Sequence, residues 1–460
     1  MKGDFTRDTF RPDRHYSQVL LQQGRVELDA DWNEQGAILL HCLRSVVADL
    51  IGPHATPSTP DGAAASQGFR ITVAATTEAG DFLVGPGHYY VDGILCESPP
   101  GTTFLEQPDL HPGKPKAGGF RLVYLDVWER HVTHLQDDRL REVALGGPDT
   151  ATRAQVVWQV RLEDSLPDGK PLVKEPTPAE VDKNWDAWVQ RWQPSRRGLL
   201  AARALVTEPD VDPCRTPPGS RYRGAENQLY RVEIHTGGTS DVATFKWSRD
   251  NGSVVFPVIA AHDANLELEH LGRDDRSTLR PGDRVELVDD STELEASRGS
   301  VRRVESLDLG ERRVALEATT GSTSIDETAH PLLRRWDHGS GGAASRGEPV
   351  LSQADGALEV VEGTWLTLED GVQILFTPDD KSPHRYRAGD YWLIPARTAT
   401  GDVEWPQRKT AEGTLAPEPL PPDGVTHHFA PLAVVAVGDQ GKVKVEADLR
   451  RRIIKLWAAV

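Results

Sequence analysis

Glycine and proline punctuate this 460-residue chain so densely, 41 and 33 of them, that long helices have few places to form. Between the breaks lie short runs in which apolar and polar residues alternate: residues 69–73, 82–84, 88–91 and 94–96. A period of two sends successive side chains to opposite faces, as half-buried strands require. Asp92-Gly93 separates the last two runs, and such a pair suits a two-residue turn in which both positions take positive φ. Asn251-Gly252, Asp370-Gly371 and Leu309-Gly310-Glu311 read as turns on similar grounds. The expected fold is mainly β and multi-domain, built of antiparallel β-sandwich or meander domains.

The strongest strand is residues 120–129. Leu122, Tyr124, Asp126 and Trp128 share one face and Val123, Leu125 and Val127 the other, so both faces are expected to be covered. Residues 155–162 have the same character. Residues 230–235, 242–249 and 253–259 read as a meander, with Asn251-Gly252 at its last corner and Trp247 and Phe256 packed beside it. Residues 262–330 are richer in charge and contain clean strand pairs, which points to a small β-barrel-like insertion. The expected division is an arm and amphipathic helix (1–52), a β-rich domain (53–261), the insertion (262–330) and a β-rich domain completing the main body (331–460). Residues 53–67, rich in Pro, Ala and Ser, read as a linker, and residues 208–220 as a Pro-rich crossing.

Two segments have helical periodicity. Residues 178–192 place Val181, Trp185, Trp188 and Trp192 at steps of four, three and four. Thr177 and Glu180 can form a capping box, with Pro178 at the first helical position. A tryptophan stripe of this kind clamps a helix to a sheet or, if exposed, offers an assembly or sugar-stacking face. The other segment, about residues 31–51, follows an extended charged arm and an apolar run at 16–28. Asp31 and Glu34 read as its capping box, and Gly52-Pro53 ends it. Trp32, Gly36, Leu39, Leu43, Val46 and Leu50 fall at alternating steps of four and three, a coiled-coil type of seam with Gly36 as its weak member. Such a helix packs on its own domain or meets copies of itself or a partner. A single short helix with this glycine does not assemble unaided. The arm is therefore expected to reach outward, which makes Phe5, Phe10 and Tyr16 contact residues alongside Trp32, Leu39, Leu43, Val46 and Leu50.

Lys and Arg number 52 against 70 Asp and Glu, a net charge of −18. A surface so acidic argues against binding a phosphate backbone, hence no nucleic-acid partner is expected. Cys42, Cys96 and Cys214 are far apart and odd in number, so neither a disulfide framework nor metal-ligand spacing can be read from them. Cys42, inside the helix, is expected to be a buried structural thiol. Charged residues from Asp4 to Arg14 exclude a secretory apolar core, and no run of about eighteen apolar residues offers a membrane span. Synthesis in the cytoplasm is the expected context.

Nucleophile elbows, phosphate-binding loops and HExxH are absent. His427 and His428 are adjacent, which on a strand sends them to opposite faces and disfavours joint metal ligation. Asp337-His338 could form an acid–imidazole pair, although the glycines that follow suit a loop anchor better. Asp126, Glu129, Asp137 and Asp138 form a carboxylate-rich patch, with Trp128 and Trp158 as possible sugar platforms, but no spacing singles out a catalytic pair. No catalytic, cofactor or metal-binding residue is assigned, and no enzymatic activity is expected.

Gln23, Gly24, Leu28, Asp31, Asn33, Glu34 and Gln35 form a pattern that resembles the opening of some phage baseplate-type proteins. Further stretches, at 89–97, 122–133, 141–161, 227–235, 243–255 and 389–401, resemble a bacterial family (DUF6519-like) found beside phage-tail-like contractile injection particles. The resemblance covers most of the chain. It implies a structural or accessory component of such a particle, of baseplate, fibre or adaptor type, that contacts other particle proteins and forms homo-oligomers, trimers by analogy. A glycan-binding or glycan-cleaving module is the alternative reading, and an injected effector or cargo protein the third.

Overall fold

The computed structural model describes all residues except 59–66, 75–76, 196, 206–221, 263, 273, 275, 296–297, 318–324, 340, 380–381, 411 and 455–460. The fold is mainly β, in several sheets. Its residues gather into two compact units. One comprises Thr9–Arg130, Ala154–Ser195 and Val425–Val460; the other comprises Met1–Asp8, His131–Arg153 and Arg196–Gly424. Neither follows the linear order of the segments expected from the sequence, because each is assembled from stretches distant in the chain. The Pro-rich crossing and Cys214 lie outside the described residues, as do residues 59–66 of the expected linker.

The first unit is built on the strand Phe120–Val132, which lies between His428–Val437 and Arg153–Glu163, with Val443–Asp448 at the far edge. Val123, Leu125 and Val127 face a core shared with Tyr89, Val91, Ile94 and Cys96 of a second four-stranded sheet. Leu122 faces the other way, onto the helix α2 (Pro178–Trp192), whose Val181 and Trp188 are buried there. Both faces of the strand are thus covered, one by a sheet and one by a helix. Thr177 and Glu180 form both bonds of the capping box that starts α2. Trp188 donates from Nε1 to the Ser165 carbonyl at 2.9 Å, and Trp192 stacks on Tyr124 with ring centroids 4.0 Å apart.

Part of the expected linker is a strand. His54–Ser58 sits between Gly87–Val91 and Arg452–Ile454, pairing parallel with the latter. Its small Ala55 and Thr56 are buried. A composition of Pro, Ala and Ser suits a loop locally, and a strand partner some four hundred residues away leaves no local trace. Asp92 and Gly93, with φ of 47° and 79°, form the turn between Gly87–Val91 and Ile94–Ser98.

In the second unit, the sheets around Gln228–Thr236 and Val372–Phe376 share one core, which includes Tyr230, Val232, Ile234, Phe245, Ile374 and Phe376. A closed six-stranded barrel follows in the order Val255–His262, Asn265–Leu268, Arg313–Leu316, Ser300–Asp308, Arg284–Val288 and Leu332–Trp336. It therefore extends beyond residues 262–330 at both ends. Asp370 and Gly371, at φ of 46° and 86°, lie in the turn between Trp365–Thr367 and Val372–Phe376.

The expected meander is not formed. Gln228–Thr236 and Thr244–Ser248 do pair, but Val255–His262 joins the barrel instead. Asn251-Gly252, with both φ positive, carries the chain from sheet to barrel. Trp247 consequently packs in the sheet core and Phe256 in the barrel core. The corner is held by the Asn251 side chain, which donates to the Gly3 carbonyl at 2.9 Å and accepts from Arg231 at 3.1 Å. Such polar anchors decide the route, and alternation of apolar residues carries no sign of them.

The face of Gln228–Thr236 that carries Arg231, Glu233 and His235 is polar and buried. Lys246 bridges Glu233 (3.4 Å) and Glu286 (2.6 Å), and Trp336 donates to Glu286 at 2.8 Å. Burial disfavours the Glu233 charge, but Lys2, Arg231 and Lys246 outweigh it and hold the carboxyl well below its usual range. Buried charges are tolerated only when so paired.

Candidate assembly surface

The helix α1 (Asp29–Ile51) begins two residues earlier than its sequence suggests. Its N-cap is Leu28, which makes no side-chain cap, so the Asp31–Glu34 capping box does not form. Glu34 accepts instead from the Thr9 hydroxyl at 2.6 Å, because the arm approaches the helix and claims that carboxylate. Gly52, at φ 87°, ends the helix with its N–H on the Ala48 carbonyl.

The inward side of α1 is narrow. Ala30 and Ile38 are buried, and Arg44 makes a bidentate pair with Glu129 at 2.8 and 3.0 Å. The helix leads through Gly52 and Pro53 into the strand His54–Ser58. Against Gly93, contact is close enough that a Cβ there would lie 2.3 Å from the Arg44 carbonyl oxygen. The arm follows one flank: the Phe10 ring lies 5.7 Å from that of His41, and the Val19 N–H donates to Gln35 at 2.8 Å.

The seam faces outward. Trp32 is 79% exposed, Leu39 60%, Leu43 59%, Val46 49% and Leu50 82%, so the reading in which this seam packs on its own domain does not hold. Gly36 is exposed as well, and a Cβ there would meet nothing within 4 Å. Tyr16, Leu20, Leu21, Val26 and Leu28 of the arm, and Leu40 beside the seam, are also exposed. Eleven of the 22 large apolar side chains exposed among the described residues fall between Tyr16 and Leu50. Summed over the eleven, the exposed apolar surface is on the order of 1,000 Å².

The contact set expected from the sequence is thereby divided. Phe5 lies in the other unit, edge-on to His131 with centroids 5.9 Å apart, and Phe10 turns toward His41, so neither belongs to the exposed surface. Tyr16, Trp32, Leu39, Leu43, Val46 and Leu50 do belong to it. Leu20, Leu21, Val26, Leu28 and Leu40 were missing from that set; the apolar run at 16–28 is the signal that pointed to the first four. Cys42 is exposed rather than buried, since it shares the outward side with Leu43. Cys96 is buried, which pushes its thiol up to about 12.

Elsewhere the polar groups expected as chemical candidates serve as anchors. His427 Nδ1 lies 2.6 Å from Asp126, its ring is stacked near Trp128, and both its backbone groups bond the Gln193 amide. His428 pairs separately with Asp92 at 2.8 Å. Asp337 accepts from the Arg249 N–H, whereas His338 is buried against the Gly356 carbonyl, so the two do not form a pair with each other. Glu129, Asp137 and Asp138 pair with Arg44, Arg139 and Arg141. Trp128 and Trp158 are buried and present no sugar platform.

A cavity of about 560 Å³ in the barrel-containing unit is lined in part by Arg249, Arg276, Arg335, Asp283 and Asp337. Its arginines are already matched: Arg249 with Glu369 at 2.8 Å, Arg276 with Asp250 at 2.8 Å, Arg335 with Asp337 at 3.3 Å. Burial pushes the Asp250 and Asp283 carboxyls up. Among the described residues, no group of three or more His, Cys, Asp or Glu is placed to hold a metal, and no helix is long and apolar enough to cross a membrane.

Neither the curated proteins nor the solved structures include a match to the chain. A match does come from the family described as a family of unknown function (DUF6519), over residues 1–173 and 195–450. These segments contain the arm, α1, the barrel and both sets of sheets. The chain belongs to the DUF6519 family.

Proposed function

We propose that this protein is a structural or accessory component of a phage-tail-like contractile injection particle, acting by protein–protein contact through residues 16–28 and the outer face of α1. The observation that carries the reading is the outward turn of the α1 seam. Leaving so much apolar surface in water favours association, because burying it releases roughly 25 cal/mol for each Å². The resemblance of the opening residues to baseplate-type proteins supplies the setting. The partners are other particle proteins and further copies of this chain.

Co-sedimentation with purified contractile particles tests the reading. Wild-type protein is expected to pellet with the particles, and the Leu20→Asp/Leu21→Asp/Leu39→Asp/Leu43→Asp variant to stay in solution. Equal pelleting of both, or of neither, sinks it. These side chains are exposed, so the variant is expected to keep the wild-type circular dichroism spectrum.

A further inference from the structure

Resting on the assembly reading above, we infer that the occupant of the α1 seam is a second copy of α1, parallel and in register. Four observations point to this partner. The spacing of Trp32, Gly36, Leu39, Leu43, Val46 and Leu50 keeps a period of 3.5 residues through the helix, which holds one stripe against a like helix as the two wind together. Half-buried Val47 and exposed Leu40 flank that stripe and widen it.

Charge selects the same occupant. A chain of net charge −18 repels its own copies over most of its surface. From Trp32 to Leu50 its Asp, Glu, Lys or Arg residues are Glu34, Arg44 and Asp49, and the first two are bonded to partners within the same unit. A basic partner would be drawn to the acidic surface elsewhere; here a copy of the chain meets no row of like charges.

Size agrees too. The α1 seam and the adjoining arm, from Tyr16 to Leu50, together expose on the order of 1,000 Å², so a pair that joins both reaches the ~800 Å² per partner that a specific interface buries.

Gly36 sets the direction. Glycine is the poorest helix former after proline, and nothing within 4 Å would obstruct a Cβ at this position, so packing within the chain does not require it. In a parallel pair in register, the bulky Trp32 layer lies next to the Gly36 layer, where the missing side chains leave room for the indoles. An antiparallel pair would put Gly36 near Val46 and leave a void. The seam is therefore complementary to itself in one orientation.

Two measurements on the full chain test this. Light scattering is expected to find wild-type oligomers that dissociate on dilution, and Leu39→Lys/Leu43→Lys is expected to raise the dissociation constant at least about a hundredfold. Leu43→Cys in a Cys42→Ser background is expected to give a reducible cross-linked dimer under mild oxidation, since the same position meets itself only in the parallel arrangement. A wild-type monomer at high concentration, or oligomers insensitive to Leu39→Lys/Leu43→Lys, would overturn the inference; oligomers without the Leu43→Cys cross-link would overturn its parallel register. A monomer that still pellets with particles removes the second copy and leaves the assembly reading standing. A monomer that does not pellet removes both.

Discussion

The two long helices carry similar patterns and opposite fates. In α1 and α2 alike, large apolar residues recur at steps of three and four behind an acidic first turn. Trp188 of α2 is fully buried, its indole N–H on a carbonyl, whereas Trp32 of α1 is 79% exposed. The difference lies in what else each helix offers. Beside its stripe, α2 is polar and has no second face suited to a sheet. On the side opposite its seam, α1 carries Ala30 and Ile38, which are buried, and Arg44, which pairs with Glu129. Periodicity marks a face as apolar, but it does not say whose surface will cover it.

The largest expected effect tests that contrast directly. Trp188→Ala opens a cavity and strands the Ser165 carbonyl, and is expected to destabilise its unit by about 3–5 kcal/mol. Trp32→Ala, measured at low protein concentration, is expected to change stability by less than about 0.5 kcal/mol. Similar losses in denaturant melts of the two variants would break the comparison.

Acid probes the strand that follows α1. Burial is the main cause that lowers His54, at the start of that strand, to about 4, with Arg451 adding to it. The folded state keeps this imidazole neutral, so its contribution is complete above the ordinary histidine value of about 6.5 and is lost as pH falls toward about 4. Roughly 3 kcal/mol is at stake for a shift of this size. His235 and His338, also lowered to about 4 mainly by burial, act in the same direction in the other unit, while Asp390, raised by burial to about 6, acts against them. Melting temperatures are expected to drop between pH 6.5 and 4.5, and less steeply in His54→Gln; an unchanged slope refutes the assignment.

The smallest effects sharpen the contrast between the helix starts and interiors. Thr177→Ala removes the cap of α2 and is expected to cost about 1 kcal/mol. Gly36→Ala should stabilise the isolated chain by about 0.5–1 kcal/mol, because the added methyl meets open space. Loss of stability on Gly36→Ala in dilute solution would show that something within the chain already packs on the seam.

Local chemistry made much of this legible beforehand. The capping box of α2, the Asp92-Gly93 and Asp370-Gly371 turns, the two-faced strand at Phe120–Val132 and the inner strand pairs of the barrel all follow from residues close together in sequence. What escaped depends on distant partners. Glu34 was taken by Thr9 and not by a cap, Asn251 steered its turn into the barrel through Gly3 and Arg231, and residues 54–58 found a strand mate near the C-terminal end. The candidate surface was half legible for the same reason. Its seam could be counted along the helix, but which side of α1 meets water depends on Glu129 and on the hairpin tip at Gly93.

Gly93 links two properties that would otherwise vary independently. Its φ of 79° suits the hairpin, and its missing side chain lets the backbone of α1 settle at Arg44. Any larger residue must lift the helix as well as strain the turn. The tilt of α1 is therefore gauged by a hairpin tip, as a shim sets the angle of a blade. Whatever lies along α1 inherits that angle, so the spacing of an assembly built on this helix would be tuned at a residue that never touches the neighbour.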